Sequence, residues 1–302
     1  MVKGIVASIQ SYKLTRRQLF WWSGMGLAIG SHKFFNPSSQ SSNAIAEALP
    51  STPPLLRFVT VGDTGQENQG QYAVAKAMEA YAQSSPFPLA LLLGDKIYEN
   101  GRISKVDRVF EKPYRSLLEQ NIPFYAALGN HDIRTNNGDD QLGYANFNMS
   151  GRYYTFVRDP VQFFALDTNT NANWPEQLAW LEDNLARSTA PWKVVFGHHP
   201  VYSSGAHGSN SKLGDRLLPL FSQYGVHLYI CGHDHNYERS NPINGTTYVV
   251  CGAGATTQRV GRSSWTAVAS AQLSFAAFEV YDDRIYVQAI GVDGQAFDVA
   301  TF

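Results

Sequence analysis

Apolar residues gather in short runs, and the runs end at a glycine followed by a polar side chain. Residues 55–61, 89–93, 124–128, 192–196 and 226–230 are the clearest of these. They are brief and lack alternation, which predicts strands buried on both faces, as in a parallel sheet. Helical periodicity fills the intervals. Residues 70–83 place Ala73, Val74, Ala77 and Tyr81 on one side before Pro86 and Pro88. Residues 105–118 read as a helix broken at Pro113. Residues 174–186 carry Pro175 near the start and Leu178, Leu181 and Leu185 on an inner face. Residues 212–223 are helical around Pro219. Hairpins are predicted at 153–157 with 161–166, turning at Arg158-Asp159-Pro160, and at 275–280 with 284–289, turning at Asp282-Asp283. Residues 247–251 make a further strand and 297–302 an edge strand. Strands alternating with helices define an α/β class.

Five strand ends share one design: Gly62-Asp63, Gly94-Asp95, Gly129-Asn130, Gly197-His198 and Gly232-His233. Each places a metal-competent side chain just past a glycine. In open α/β sheets ligands bind beyond the carboxyl ends of the strands. The last end continues as Gly232-His233-Asp234-His235. On extended chain the two histidines point the same way, and imidazole is the commonest neutral metal ligand.

Composition narrows the partners. The chain has 302 residues, with 24 basic and 25 acidic side chains. A balance this close to neutral excludes a general nucleic-acid role, which needs a basic surface. The size allows one large domain, and a monomer is expected. Cys231 and Cys251 are too few for a disulfide scaffold. Each closes an apolar run, so a bridge and two buried thiols are both open.

Residues 1–46 contain no Asp or Glu. Lys3, Lys13, Arg16 and Arg17 precede a short apolar stretch with glycines, residues 19–30, and a small-x-small site follows at Ala44-Ile45-Ala46. Thr15-Arg16-Arg17-Gln18-Leu19-Phe20 resembles a twin-arginine export signal. Residues 1–46 are therefore expected to be removed after passage through the twin-arginine machinery. That leaves a domain of residues 47–302 in the periplasm or outside the cell.

The combined motifs resemble the calcineurin-like metallophosphoesterases. They are Gly62-Asp63, Gly94-Asp95-x-x-Tyr98, Gly129-Asn130-His131-Asp132, Gly197-His198-His199-Pro200 and Gly232-His233-x-His235. Tyr98, three residues after Asp95, narrows the resemblance to purple acid phosphatases of the small tartrate-resistant type. It spans residues 57–290. It implies a four-layer α/β/β/α double β-sandwich flanked by helices. It implies a ferric ion on Asp63, Tyr98, His235 and a bridging Asp95. A divalent ion (Fe, Zn or Mn) on Asn130, His198, His233 and the shared Asp95 completes the pair. It implies hydrolysis of small phosphate monoesters by direct attack of metal-bound hydroxide. His131 is implied to face the phosphate and His207 to protonate the leaving group, and Asp132, next in sequence, is expected on the other nitrogen of His131. A phosphodiesterase or nucleotide phosphohydrolase of the same fold is the alternative enzyme. A non-catalytic envelope binding protein is the alternative outside catalysis.

The ligand types suit that chemistry. A carboxylate has two oxygens and can bridge two cations, and such a pair clamps an in-line displacement at phosphorus. A phenolate is a hard anionic ligand fit for a trivalent ion. Ala255 stands where the family's closing glycine turn usually has glycine, and two positions beside the ligands also depart from the family. His199 either supports His198 or faces the pocket, and Lys96, where asparagine is usual, either contacts phosphate or leans outward.

Overall fold

The computed structural model describes residues 52–302. The export segment expected at 1–46 lies outside the described residues. Among the described residues thirteen strands form two mixed sheets. In the first, β1 (Leu56–Val61), β2 (Ala90–Leu92) and β3 (Phe124–Ala126) run parallel. On the far side of β1 the sheet continues antiparallel through β11 (Ser274–Val280), β12 (Ile285–Gly291) and β13 (Ala296–Thr301). In the second, β4 (Tyr154–Arg158) pairs antiparallel with β5 (Val161–Ala165). Then β5, β6 (Trp192–Phe196), β7 (Leu228–Cys231) and β9 (Thr247–Cys251) run parallel. Antiparallel β8 (Tyr237–Ser240) and β10 (Thr266–Ser270) close that edge. Neither of these last two strands is anticipated by the hydrophobic pattern.

Alternation is present inside the apolar runs, hidden because both faces are buried. In β6, Val194 and Phe196 join the core shared by the sheets, while Val195 joins the core under the helices. In β7, Leu228 and Ile230 face the first core and Tyr229 and Cys231 the second. Phe58 of β1 meets Phe163 of β5 edge-on at 5.2 Å, which ties the two sheets together. Burying a side chain of this size stabilises by about 1.5–3 kcal/mol.

Helices flank the sandwich. They are α1 (Gln69–Ser84), α2 (Arg115–Glu119), α3 (Asp139–Leu142), α4 (Trp174–Arg187) and α5 (Ser211–Tyr224). Asn68 caps α1 by accepting from the Gln71 N–H, and Asn210 caps α5 by accepting from Leu213. Leu181 and Leu185 of α4 and Leu217 and Phe221 of α5 pack with Val195, Tyr229 and Tyr248 of the second sheet. The result is a double β-sandwich flanked by helices. The strand ends β1, β2, β3, β6 and β7 deliver their loops to one site. Cys231 and Cys251 are buried free thiols, which settles the open pairing.

Candidate metal centre

The loops after β1, β2 and β7 turn sharply. Asp63, Asp95 and His233 all adopt left-handed backbone, with φ of 59°, 50° and 72°. Non-glycine residues hold that conformation at a cost, and such strain clusters at functional sites. Glycine makes room beside them. A Cβ on Gly94 would lie 2.6 Å from the His198 ring, and one on Gly129 would lie 2.1 Å from Asp95 Oδ1. The two loops therefore close on each other as they do only without side chains there.

Two groups of donors result. On one side the Tyr98 hydroxyl donates to Asp63 Oδ1 at 3.0 Å and lies 3.1 Å from His235 Nε2. His235 Nε2 is itself 3.5 Å from Asp63 Oδ1. On the other side His198 Nε2 lies 3.0 Å from Asn130 Oδ1 and 3.2 Å from His233 Nδ1. Asp95 stands between, with Oδ2 3.4 Å from His198 Nε2. Ligand atoms of Asp63, Asp95 and His198 all lie within 4.8 Å of one another. The seven side chains expected as ligands thus lie together, Asp63, Tyr98 and His235 on one side and Asn130, His198 and His233 on the other.

The donors are aimed by what stands behind them. His198 Nδ1 donates to the Leu93 carbonyl at 2.9 Å, which turns Nε2 inward. His235 Nδ1 is held by Thr256 Oγ1 at 2.8 Å. Asp63 Oδ2 accepts from the His233 N–H, and Asp95 Oδ1 from the His131 N–H, each at 2.8 Å.

Electrostatics fits a cationic guest. Burial opposes ionisation of Asp95, yet His198 and His131 hold its carboxyl below the usual carboxylate range. Burial works against a proton on His198, but Asp95 and then Asp63 push it up to about 9. Burial and the charge of His198 push His233 down to about 2. Burial and then Asp63 and Asp95 hold the Tyr98 phenol far above its ordinary value. A highly charged cation reverses that last balance, because it favours the phenolate. Two carboxylates and a phenol suit a hard ion, and an amide with two imidazoles a divalent one. The residues present therefore fit a metal pair.

The flanking histidines differ in their support. His207 Nδ1 and its backbone N–H both donate to Asp234 Oδ1, at 2.9 and 2.8 Å. Asp234 is fully buried and also accepts from Ser203 Oγ. Ser204 is fastened to Glu238 through its N–H and its hydroxyl. The glycine-bearing loop is thus fixed, and the His207 ring lies 4.2 Å from that of His233. His131 stands on the Tyr98 side, its ring 4.4 Å from the phenol ring. Asp132 does not hold its Nδ1, contrary to expectation. That nitrogen donates to the Glu99 carbonyl at 2.7 Å.

Asp132 instead pairs with Lys96, which neither leans outward nor reaches a phosphate position. Lys96 Nζ donates to Asp132 Oδ2 and to the Ala127 carbonyl, both at 2.7 Å. Both side chains are buried. Asp132 also accepts from the N–H groups of Lys96, Ile97 and Gly129, so it knots the loops after β2 and β3. Lys96→Met leaves that carboxylate buried without its cation. Such breakage costs about 3–5 kcal/mol, and urea unfolding of the metal-free protein is expected to show a loss of this size. An unchanged midpoint would contradict the pairing.

His199 does both things the sequence left open. Thr168 Oγ1 accepts from the N–H groups of His198 and His199, so its own proton goes to His199 Nδ1 at 2.9 Å. The ring packs 4.8 Å from His198 and also borders a cavity of about 310 Å³. His207, Lys212 and His233 line the same cavity. Thr168, Thr256, Asp234 and Glu238 are functional supports that the sequence did not reveal. Asp234 lies between the two histidines, but the extended chain expected there is replaced by a bend in which His233 has φ 72°, so alternation does not report where it points.

Residues 56–237 match the family model described as calcineurin-like phosphoesterase. The chain belongs to the calcineurin-like phosphoesterase family. Within it, this phosphoesterase is related to the purple and tartrate-resistant acid phosphatases. It is 34% identical over 239 residues to tartrate-resistant acid phosphatase type 5 of Oryctolagus cuniculus, covering 67% of this chain and 73% of that protein. Solved structures share its fold. The purple acid phosphatase PPD1 from yellow lupin (Lupinus luteus) seeds superposes with a TM-score of 0.69 at 21% identity, covering 84% of this chain and 54% of that one. GAP50, described as the anchor in the inner membrane complex of Plasmodium, superposes at 0.72 with 24% identity, covering 82% and 88%.

Proposed function

We propose that this phosphoesterase is an acid phosphatase that hydrolyses small phosphate monoesters with water as the attacking group. The observation that carries the reading is the convergence of Asp63, Asp95, Tyr98, Asn130, His198, His233 and His235 from five strand ends. Asp63, Tyr98 and His235 would hold a ferric ion, Asn130, His198 and His233 a divalent one (Fe, Zn or Mn), with Asp95 shared. Such a pair would supply positive charge to the phosphoryl oxygens and activate water as the nucleophile at mildly acidic pH.

The chain's own residues do the rest. Ser203 and Ser204 are engaged by Asp234 and Glu238, and both cysteines are buried, so none of them is placed as a nucleophile. His207, oriented through Nδ1 by Asp234, keeps its other nitrogen out of that bond and lines the cavity beside His233. From there it can protonate a departing alkoxide. Lys212 gives the same cavity a positive wall that suits an anionic ester. The export signal read at residues 1–46 would place this activity outside the cytoplasm.

The test is hydrolysis of a panel by the metal-loaded protein. Alkyl and aryl monoesters are expected to turn over best below pH 7, with diesters much slower. Diester turnover above monoester turnover, or no turnover with both metals bound, would contradict the reading.

A further inference from the structure

We infer that Arg134 is a phosphate-gripping residue of this site, an assignment that rests on the phosphatase reading for its substrate. Arg134 ends the short turn Asp132–Arg134, immediately after Asn130-His131. Its guanidinium is pinned by two contacts. Nη1 donates to the Glu99 carbonyl at 3.1 Å, and Nη2 lies 3.1 Å from His131 Nε2.

The direction of these hydrogen bonds decides the roles. A guanidinium only donates, so His131 Nε2 is the acceptor. The Glu99 carbonyl only accepts, so His131 Nδ1 is the donor at 2.7 Å. Both ring nitrogens are thereby used, and the ring in this state has no proton left for a substrate oxygen. His131 props the arginine, and the arginine carries the charge. The expectation that His131 itself holds the phosphate is replaced by a pair in which Arg134 makes the contact.

Position supports this. The same His131 Nε2 lies 4.0 Å from Asp95 Oδ2, and its ring is tilted against that of Tyr98 with the centroids 4.4 Å apart. The guanidinium therefore lies on the Tyr98 side, separated from the shared carboxylate by the His131 ring nitrogen, 3.1 Å from the one and 4.0 Å from the other. Two neighbouring cations are committed elsewhere, Lys96 to Asp132 and Lys105 Nζ to the Tyr98 carbonyl, and Lys212 lines the cavity on the His207 side. The exposed Glu99 carboxylate lies 3.7 Å from His131 Nδ1, on the other edge of the ring. Arg134 is exposed and keeps further N–H groups of its fork free of partners in the described residues. A planar fork with open donors matches two phosphoryl oxygens at once, which a lysine cannot do.

The test is calorimetric binding of inorganic phosphate to the metal-loaded protein. Arg134→Ala is expected to raise the phosphate Kd by about 10- to 100-fold, the worth of a charged hydrogen-bonded contact. Metal content should stay unchanged, and KM for a monoester should rise in step. Arg134→Lys should recover part of the affinity, because charge remains and the fork is lost. The loss should persist in reduced form when Arg134→Ala is made in a His131→Ala background, where the Glu99 carbonyl still pins Nη1. An unchanged Kd in Arg134→Ala would overturn the inference. So would an Arg134→Lys protein that binds phosphate no better than Arg134→Ala, since the retained charge would then contribute nothing. Wild-type protein that binds phosphate and hydrolyses no monoester would count against the phosphatase reading alone.

Discussion

Asp95→Ala is expected to abolish turnover, by more than about a thousandfold, and to lower the metal content per chain. This is the largest effect the structure predicts. Removing a single oxyanion donor from an active site costs about 10²–10³ in kcat. Asp95 does more, since it stands between the two donor groups and would be the ligand common to both ions. Its Oδ2 approaches His198 Nε2 at 3.4 Å while Oδ1 accepts the His131 N–H. Loss of the side chain opens space that Gly129 is shaped to leave for it. It also removes the first charge that supports His198. Asp95→Asn keeps the shape and the hydrogen bond and loses the bridging charge. It is expected to keep the fold and still bind less than two metals. Elemental analysis beside a monoester assay checks both variants. An Asp95→Ala protein with two metals and measurable turnover would contradict the assignment.

His207→Ala is expected to keep both metals and to slow alkyl phosphates by about 10²–10⁴-fold, the usual worth of one acid catalyst. The effect should depend on the leaving group. An alkoxide needs a proton as it departs, whereas nitrophenolate does not, so the loss for p-nitrophenyl phosphate should be under about tenfold. The structure supports a separable role. His207 contacts the ring of His233 and is anchored by Asp234, which lies outside the seven proposed ligands. Asp234→Asn should give the same leaving-group pattern in weaker form, because it disturbs the tautomer and leaves the ring in place. Equal losses for both ester classes in His207→Ala would assign the residue to binding alone.

The fold was legible where burial is simple. Runs such as 192–196 and 247–251 match strands β6 and β9 residue for residue, because strands buried on both faces read as unbroken apolar stretches. The site was legible where one rule repeats, a ligand residue after a glycine at a strand end. Legibility failed where polar groups are buried. β8 and β10 carry Glu238, Arg239 and Thr266, and their partners are Ser204, Asp298 and Ser263 rather than an apolar neighbour. Lys96 reads in sequence as a phosphate contact or an outward charge and Asp132 as the partner of His131, and only their 2.7 Å pairing shows that they neutralise each other inside. Thr168 and Thr256 lie 30 and 21 residues from the histidines they hold. No local pattern reports contacts across such separations. The exchange of Asp132 for Glu99 beside His131 has the same origin, since a backbone carbonyl leaves no mark on residue identity.

The most direct test of the central claim is the metal-to-chain ratio of the purified, catalytically active protein, measured by elemental analysis. The two donor groups around Asp95 predict two metals per chain, at least one of them iron because of Tyr98. Full activity with a single metal per chain, or with two metals and no iron, would contradict the account.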